Sequence, residues 1–400
     1  MDELTDIRDA LRIVLAAVET LPGETVALGD ALGRVLAQDA RADLDQPAFD
    51  RGVMDGVAVR AADCATPGTV LREIGEARAG TPFVGAVQPQ TCIRILTGAV
   101  VPAGVDAVVP QERIEAAGPG LWRILDAIRP ERHIARRGSE VAIGDVVVAA
   151  GEQLGAARLG VLAAFGHAQV PVRRRPVVAV LPTGDELVPV SAVPGPGQIR
   201  DSNLYTVSGL VQAAGGSVVQ CRVAGDDRAA LGQAIEAAWQ QADVIVLSGG
   251  VSVGAYDFVA PALNDVGATC HVHRIRIKPG KPFLFATRGK KLAFGLPGNP
   301  VSAYVCAVLF LQPALAALQG ARRVDWQTVP LPSLAALPPV GPRTEIAPAR
   351  LRTTAQGVAV EILPQRGSAE VAHFAQADYL VVRPADGPAL AAGDPLDVLL

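Results

Sequence analysis

Three glycine-bearing loops, two lysines around one turn and a few carboxylates hold the chemical potential of this 400-residue chain. The first loop is Pro182-Thr183-Gly184-Asp185-Glu186. The second is Ser248-Gly249-Gly250-Val251-Ser252-Val253-Gly254, with Asp257 close behind, and the third is Pro297-Gly298-Asn299-Pro300. Pro300 suits a first helical turn, where its missing N–H is no loss, and the free N–H groups and dipole of such a turn favour an anion. Ser248-Gly249-Gly250 presents backbone N–H groups without Cβ obstruction, which suits a phosphate or a closely approaching ring. Glycine serves tight turns equally well, and for any one loop that reading suffices. Three such loops on one sheet edge make it much weaker. Lys278-Pro279-Gly280-Lys281-Pro282 places two cations around a turn, as a solvated hairpin or as a neutraliser of phosphate or an oxyanion.

Carboxylates beside anion-binding loops need a reason. Asp185, Glu186 and Asp257 repel phosphate unless a hard cation lies between, and Mg2+, whose shell combines carboxylate and phosphate oxygens, is the natural bridge. N-capping by Asp185 or Asp257 is the plainer alternative. Met54-Asp55-Gly56 sits in a turn, where an Asp usually makes an Asx-turn, and Thr97-Gly98-Ala99 follows the strand Cys92–Leu96. His271 and His273 alternate on one strand without a third ligand nearby, so a surface or partly buried pair is expected rather than a metal site.

These loops must be positioned by regular elements. Val177–Leu181 and Asp243–Leu247 are short apolar strands, and the spacing predicts helices from Ser202 to about Ala214 (capped by Asp201 or Ser202), from Asp226 to Gln240 and from Pro300 onward. Further strands are expected at Ser217–Val223, Arg274–Ile277, Phe283–Ala286 and Leu292–Gly295. Alternation of this kind indicates a parallel, doubly wound sheet with ligands beyond the carboxyl ends of its strands. Ile7, Leu11, Val14, Leu15 and Val18 lie at helical spacing in an opening helix over 4–21. Short β-prone runs punctuated by Gly and Pro follow it, and the helical period is lost again after about 325, where a small β domain is expected.

Composition narrows the function classes. With 50% hydrophobic and 19% charged residues the chain can build a packed core of more than one domain. A net charge of −4 and 4% aromatics offer neither a basic face nor stacking platforms for nucleic acid. Cys64, Cys92, Cys221, Cys270 and Cys306 are scattered and form no CxxC pair, which fits buried free thiols in a reducing compartment. The start of the chain has no secretory signal. The apolar run Val301–Leu318 holds Ser302, Gln312 and Pro313 and reads as a core helix rather than a membrane span. A soluble, cytoplasmic protein is expected.

The chain resembles the molybdopterin molybdenumtransferase family, to which the C-terminal domain of gephyrin also belongs. The likeness rests on Thr183-Gly184-Asp185-Glu186-Leu187, Gly197-Gln198-Ile199-Arg200-Asp201-Ser202-Asn203, Ser248 to Gly254, Lys278 to Pro282 and Gly295-Leu296-Pro297-Gly298-Asn299-Pro300-Val301-Ser302-Ala303. Met54-Asp55-Gly56, Thr97-Gly98-Ala99, Asp106-Ala107-Val108-Val109 and Gln111-Glu112 carry it upstream, and Gly367-Ser368-Ala369 carries it downstream.

The resemblance implies a multidomain α/β plus β architecture. An elongated N-terminal/linker domain would take residues 1–45 and 142–175, a β-barrel-like domain 46–141, a doubly wound α/β molybdopterin-nucleotide-binding domain 176–324 and a C-terminal β domain 325–400. It implies insertion of molybdate into adenylylated molybdopterin with release of AMP, a requirement for Mg2+, and a homodimer whose cleft is shared between chains. Molybdopterin adenylyltransferase and recipient molybdoenzymes are the further partners it implies. It assigns Asp55, Thr97, Glu140, Glu186, Asp257, Lys278 and Lys281 to catalysis. To the pterin nucleotide it assigns Thr183, Gly184, Asp185, Asp201, Ser202, Asn203, Ser248, Gly249, Gly250, Ser252, Gly298, Asn299, Pro300 and Ser302, with Asp185, Glu186 and Asp257 at the metal.

Departures cluster in the β-rich region. Arg51-Gly52-Val53 stands where the family has Asn-Ser-Ala, Val57 where it has Tyr, Ala135 where it has Arg, and Glu140 where it has Asp. A misplacement of about 1 Å can cost a hundredfold in rate, so a carrier that binds cofactor without turnover is the alternative reading. The related adenylyltransferase would not need residues 1–172 or 325–400. A competence-type nucleotide hydrolase would leave Met54-Asp55-Gly56 and Thr97-Gly98-Ala99 unexplained.

Overall fold

The computed structural model describes residues 4–220, 228–251, 258–364, 367 and 370–399. Ser217–Gln220, Val177–Pro182, Val244–Ser248 and Lys291–Leu296 lie side by side in that order, all parallel. Their side chains alternate across the sheet as strand geometry demands. Val178, Val180, Val244, Val246 and Phe294 face one way, onto Val207 and Val211 of the helix Asn203–Ala213 and Leu309 and Leu315 of the helix from Pro300. Ala179, Leu181, Ile245, Leu247 and Ala293 face the other way, onto Leu231, Ile235 and Trp239 of Arg228–Gln241 and Val259 and Leu263 of Val259–Asp265. Burial on both faces explains why these strands are continuous apolar runs.

The sheet is not wholly parallel as expected. Leu284–Arg288 and Thr269–His273 extend it antiparallel at one edge, because the two-residue turn Gly289-Lys290, with Gly289 at φ +59°, closes a hairpin between Arg288 and Lys291. The strand expected at Arg274–Ile277 is also different. Ile277–Lys278 leaves this sheet and pairs in parallel with Thr344–Glu345 of the C-terminal sheet.

The 19-residue helix Pro300–Leu318, which contains a π turn over Ala307–Leu311, is long and apolar enough to cross a membrane. Most of it is buried within the core, as the core-helix reading anticipates. The opening helix is shorter than expected, Ile7–Ala16, with Asp6 accepting the Arg8 N–H as its cap. Cys64, Cys92 and Cys306 are buried, but Cys270 is exposed, against expectation, because it lies on the edge strand Thr269–His273. Cys221 and the expected helix start at Asp226 fall outside the described residues.

Residues 51–124 contribute a six-stranded sheet ordered Ala107–Pro110, Gly56–Val59, Thr91–Ile95, Val70–Ala77, Leu121–Ile124 and Ile114–Gly118. Val57, Leu71, Cys92, Val109 and Ile124 form its core. Gly23–Ala27 pairs with Gln169–Arg173 and Ala40–Arg41 with Val146–Val148 in a separate small layer around Leu36, Leu154 and Leu162. A further sheet runs from Thr328 to Leu399.

An ion pair is among the contacts that join the α/β sheet to the small layer around Leu36. Arg174 donates two bonds of 2.7 Å to Asp243, which also accepts the Val177 N–H at 2.9 Å where the first strand begins. Burial pushes the Asp243 carboxyl up, but the Arg174 guanidinium and the Val177 N–H outweigh it and hold the group below its ordinary value. A depressed carboxylate contributes stability that is complete above the unfolded value near ~4 and lost as pH falls through the folded value. Asp243→Asn is therefore expected to cost about 2 kcal/mol at pH 7. In thermal melts the gap from wild type should narrow between about pH 5 and 3. A gap that stayed constant over that range would remove the ion pair from the account.

Candidate active site

The parallel register sets Pro182, Ser248 and Leu296 level with one another, so the three glycine-bearing loops leave one sheet edge at the same height. They are tied together there. The Thr183 N–H and Oγ1 both donate to Ser248 O, at 2.9 and 3.2 Å, and the Gly249 N–H donates to Leu296 O at 3.1 Å. Asn203 Nδ2 donates to Ser248 Oγ at 2.7 Å and to Gly298 O at 2.8 Å. Its Oδ1 is buried with no hydrogen bond among the described residues. Asp201 accepts the Leu204 N–H at 3.0 Å and so caps that helix, while Ser202 makes no side-chain cap bond. Gly249 sits at φ +101°, and a Cβ on it would come within 2.6 Å of Thr183 O. Only glycine allows the second loop to pass this close to the first.

Asp185 and Glu186 are exposed on the first loop. The Glu186 carboxylate folds back over Gly184, where a Cβ would lie within 2.7 Å of it. Two exposed carboxylates on one loop are a donor set that fits Mg2+, which binds one or two carboxylates and completes its shell with water and substrate phosphate. Among the described residues no three His, Cys, Asp or Glu side chains gather around a possible metal position. Ser252 and Asp257 lie outside the described residues. His271 is exposed and bonded to Thr287 Oγ1 at 2.7 Å.

Beside these loops opens a cleft of about 650 Å³, lined by Lys278, Lys281, Asn299 and Ser302 on one wall and by Arg343, Glu345 and Arg383 of the C-terminal sheet on the other. Among the described residues that line it, four cations face a single carboxylate. Lys278 lies 3.7 Å from Glu345, which also accepts 2.6 Å from Arg383, and Arg343 donates to Ile277 O at 3.4 Å. Lys281 is exposed. Arg383 is 5% exposed, and its Nε has no hydrogen bond among the described residues. Pro300 opens the long helix at the edge of this cleft, with Asn299 at the cap and Ser302 buried in the first turn. Sequence reasoning missed Arg343 and Arg383. Only the pairing of Ile277–Lys278 with Thr344–Glu345 brings them here, and no local motif marks it.

A second group forms in the β-rich domain. The Thr97 N–H and Oγ1 both donate to Asp55 Oδ1 at 2.7 Å, and the Gln111 N–H donates to Asp55 O at 2.9 Å. The Thr97 backbone and hydroxyl, with Arg94 nearby, hold the Asp55 carboxyl below the usual range despite some desolvation. Glu140 is exposed, and among the described residues its side chain makes no hydrogen bond and is not joined to Asp55 or Thr97. Beside Ala135, Arg136 is engaged by Asp50 and Glu131, and Arg137 donates to Asp45 at 2.7 Å. Neither is a free substitute for the missing arginine. Among the described residues no hydrogen bond or ion pair links 46–141 to 176–324.

The chain matches known proteins along most of its length. Residues 5–166 match the MoeA N-terminal region (domain I and II), 179–317 a probable molybdopterin binding domain, and 330–400 the MoeA C-terminal region (domain IV). Fold and loops together define a multidomain protein built around a molybdopterin-binding α/β domain. The molybdopterin molybdenumtransferase of Haemophilus influenzae is 39% identical over 307 residues, 77% of this chain and 75% of that protein. That of Staphylococcus aureus strain MRSA252 is 30% identical over 402 residues, 98% and 95% respectively. A crystal structure of the molybdopterin biosynthesis moeA protein from Pyrococcus horikoshii OT3 aligns over 100% of both chains with a TM-score of 0.87 at 28% identity. The chain belongs to the molybdopterin molybdenumtransferase family.

The close passage at Gly249 carries a prediction. Gly249→Ala adds a methyl that Thr183 cannot clear and strains a left-handed backbone. It should weaken pterin-nucleotide binding by about tenfold or more in calorimetric titration. Unchanged affinity would remove the second loop from the binding surface.

Proposed function

We propose that this chain is the transferase that inserts molybdate into adenylylated molybdopterin and releases AMP. The cleft with four cations and one carboxylate, opening beside three interlocked glycine-bearing loops, is the observation that carries the reading, and family membership supports it. In this reading the Gly250 N–H, the one N–H of Ser248-Gly249-Gly250 that the loop cross-links and the strand ladder leave to a ligand, and the N-terminus at Pro300 hold the phosphates of the pterin nucleotide, with Ser252 and Gly298 as further contacts. Lys278 and Lys281 stabilise the charge that develops as AMP departs. Asp185, Glu186 and Asp257 would hold Mg2+, which when bound offsets charge on the phosphate oxygens. Asp55, oriented by Thr97, handles molybdate or a water near it.

A homodimer belongs to the same proposal, since a neighbouring chain is what could bring Asp55 and Glu140 to the α/β loops. So do a cytoplasmic setting, receipt of substrate from molybdopterin adenylyltransferase and delivery to molybdoenzymes.

The test is reconstitution. Purified protein with adenylylated molybdopterin, Mg2+ and molybdate should release AMP in a molybdate-dependent way; tight nucleotide binding without AMP release would favour a carrier instead. Asp55→Asn should abolish insertion while nucleotide affinity stays within about twofold. Because the Asp55 carboxyl is depressed, it is ionised throughout the range above about pH 5, and the pH–rate profile between 5 and 9 should show no limb from it. Lys281→Ala should lower AMP release by about 10²–10³ with a smaller effect on affinity. Equal losses in both would assign Lys281 to binding alone.

A further inference from the structure

We infer that the mouth of the β-rich domain beside Asp55 is a separate oxyanion site, formed by Arg94 and Gln111 in the space left by Val57. Its ligand is a tetrahedral oxyanion, either free molybdate or a phosphate of the pterin nucleotide. The use assigned to this site rests on the insertion reading; the site itself rests on the geometry that follows.

A cavity of about 180 Å³ opens there, lined by Gly56, Val57, Arg94, Leu96, Gln111 and Trp122 among others. At roughly 30 Å³ per water it holds about six waters, enough for a tetrahedral oxyanion with part of its shell. Strand alternation aims Arg94 into it. Cys92, two residues earlier on Thr91–Ile95, lies in the core with Val57 and Leu71, and Arg94 shares that face where the core opens.

The Arg94 charge is not consumed. Among the described residues it makes no hydrogen bond and no ion pair, because the acids nearest in register are occupied elsewhere. Glu73 accepts the Trp122 indole N–H at 2.6 Å, and Glu76 lies 3.1 Å from Arg78. The Gln111 backbone is fixed to Asp55 O, while its side-chain amide makes no hydrogen bond among the described residues. A free guanidinium fork and a free amide on one small cavity are matched to an oxyanion's several acceptors.

The neighbouring carboxylate makes a cation necessary. Asp55 is ionised and lies two residues from Val57, so an anion approaching Asp55 and Thr97 meets like charge unless a cation stands beside it. Arg94 supplies that cation. Val57 makes the room, since it lies directly opposite Arg94 in the antiparallel register, where facing Cβ atoms are about 4.5–5.5 Å apart. The tyrosine that the family pattern carries here would fill the cavity.

Tungstate-soaked crystals of the full chain, read by tungsten anomalous scattering, test the site without turnover. A peak in contact with Arg94 in wild type, lost in Arg94→Gln and in Val57→Tyr, is expected; its absence in wild type overturns the site. Arg94→Gln alters an exposed residue, so it keeps the test valid if Val57→Tyr does not fold. Reconstitution kinetics then separate the two sources. A rise of tenfold or more in KM for molybdate, with nucleotide affinity unchanged and partial rescue by Arg94→Lys, identifies the ligand as molybdate. A matching loss of nucleotide affinity with unchanged molybdate KM identifies it as phosphate. A peak whose removal shifts neither quantity marks an adventitious ion only and overturns the inference. A wild-type chain that binds tungstate at Arg94 yet releases no AMP would sink the insertion reading and leave the site standing.

Discussion

Two residues of parallel pairing, Ile277–Lys278 against Thr344–Glu345, hold the C-terminal sheet against the edge of the α/β domain where its loops emerge. Arg276 O accepts the Thr344 N–H at 3.1 Å, and the Arg343 guanidinium reaches back to Ile277 O. Without that short ladder Lys278 and Lys281 would sit on an isolated turn facing water, where two cations attract little. With it they form one wall of a cleft whose other wall is also cationic, and an anion entering exchanges bulk solvent for positive charge on both sides.

The three loops opposite depend on a different device. Asn203 is the first residue of its helix, and its amide nitrogen bridges Ser248 Oγ and Gly298 O, so helix placement and loop placement are set together. Thr183 closes the remaining side through Ser248 O. A loop cluster cross-linked in this way has its N–H groups oriented before any ligand arrives, and less ordering remains to be done on binding. Asp55 and Thr97 are similarly locked to each other but belong to another sheet.

What could be read in the sequence was local. Glycine and proline announce their own backbone needs, so the three loops stood out, and the continuous apolar runs marked the buried strands. The antiparallel edge was not legible, because a two-residue hairpin at Gly289-Lys290 sits inside what reads as one more βα repeat. Arg343 and Arg383 were invisible for a stronger reason: their role is created by pairing across the chain, and no residue near them in sequence signals it. Arg94 is a third kind of case. On Thr91–Ile95 it looks like any exposed strand arginine, and its setting becomes apparent only once Val57 is seen opposite it and Glu73 is seen bound to Trp122. The cap alternatives at Asp201 and Ser202 needed coordinates as well, since both residue types satisfy the same rule.

The helix from Pro300 to Leu318 spans roughly 28 Å at 1.5 Å per residue. Its first turn borders the cationic cleft. At its far end Leu318 O accepts the Leu21 N–H at 2.8 Å, and just beyond it the Arg322 N–H donates to Gly151 O at 3.0 Å. The helix whose first turn borders the cleft is thus bolted to the small layer around Leu36 and Leu154. Such a rod cannot shorten, and a displacement at one end becomes a tilt or a slide at the other. Its π turn at Ala307–Leu311, followed by Pro313, which has no N–H to donate, interrupts the regular ladder midway between the two anchorages. The orientation of the small layer around Leu36 and the position of the turn at Pro300 are therefore one mechanical variable rather than two.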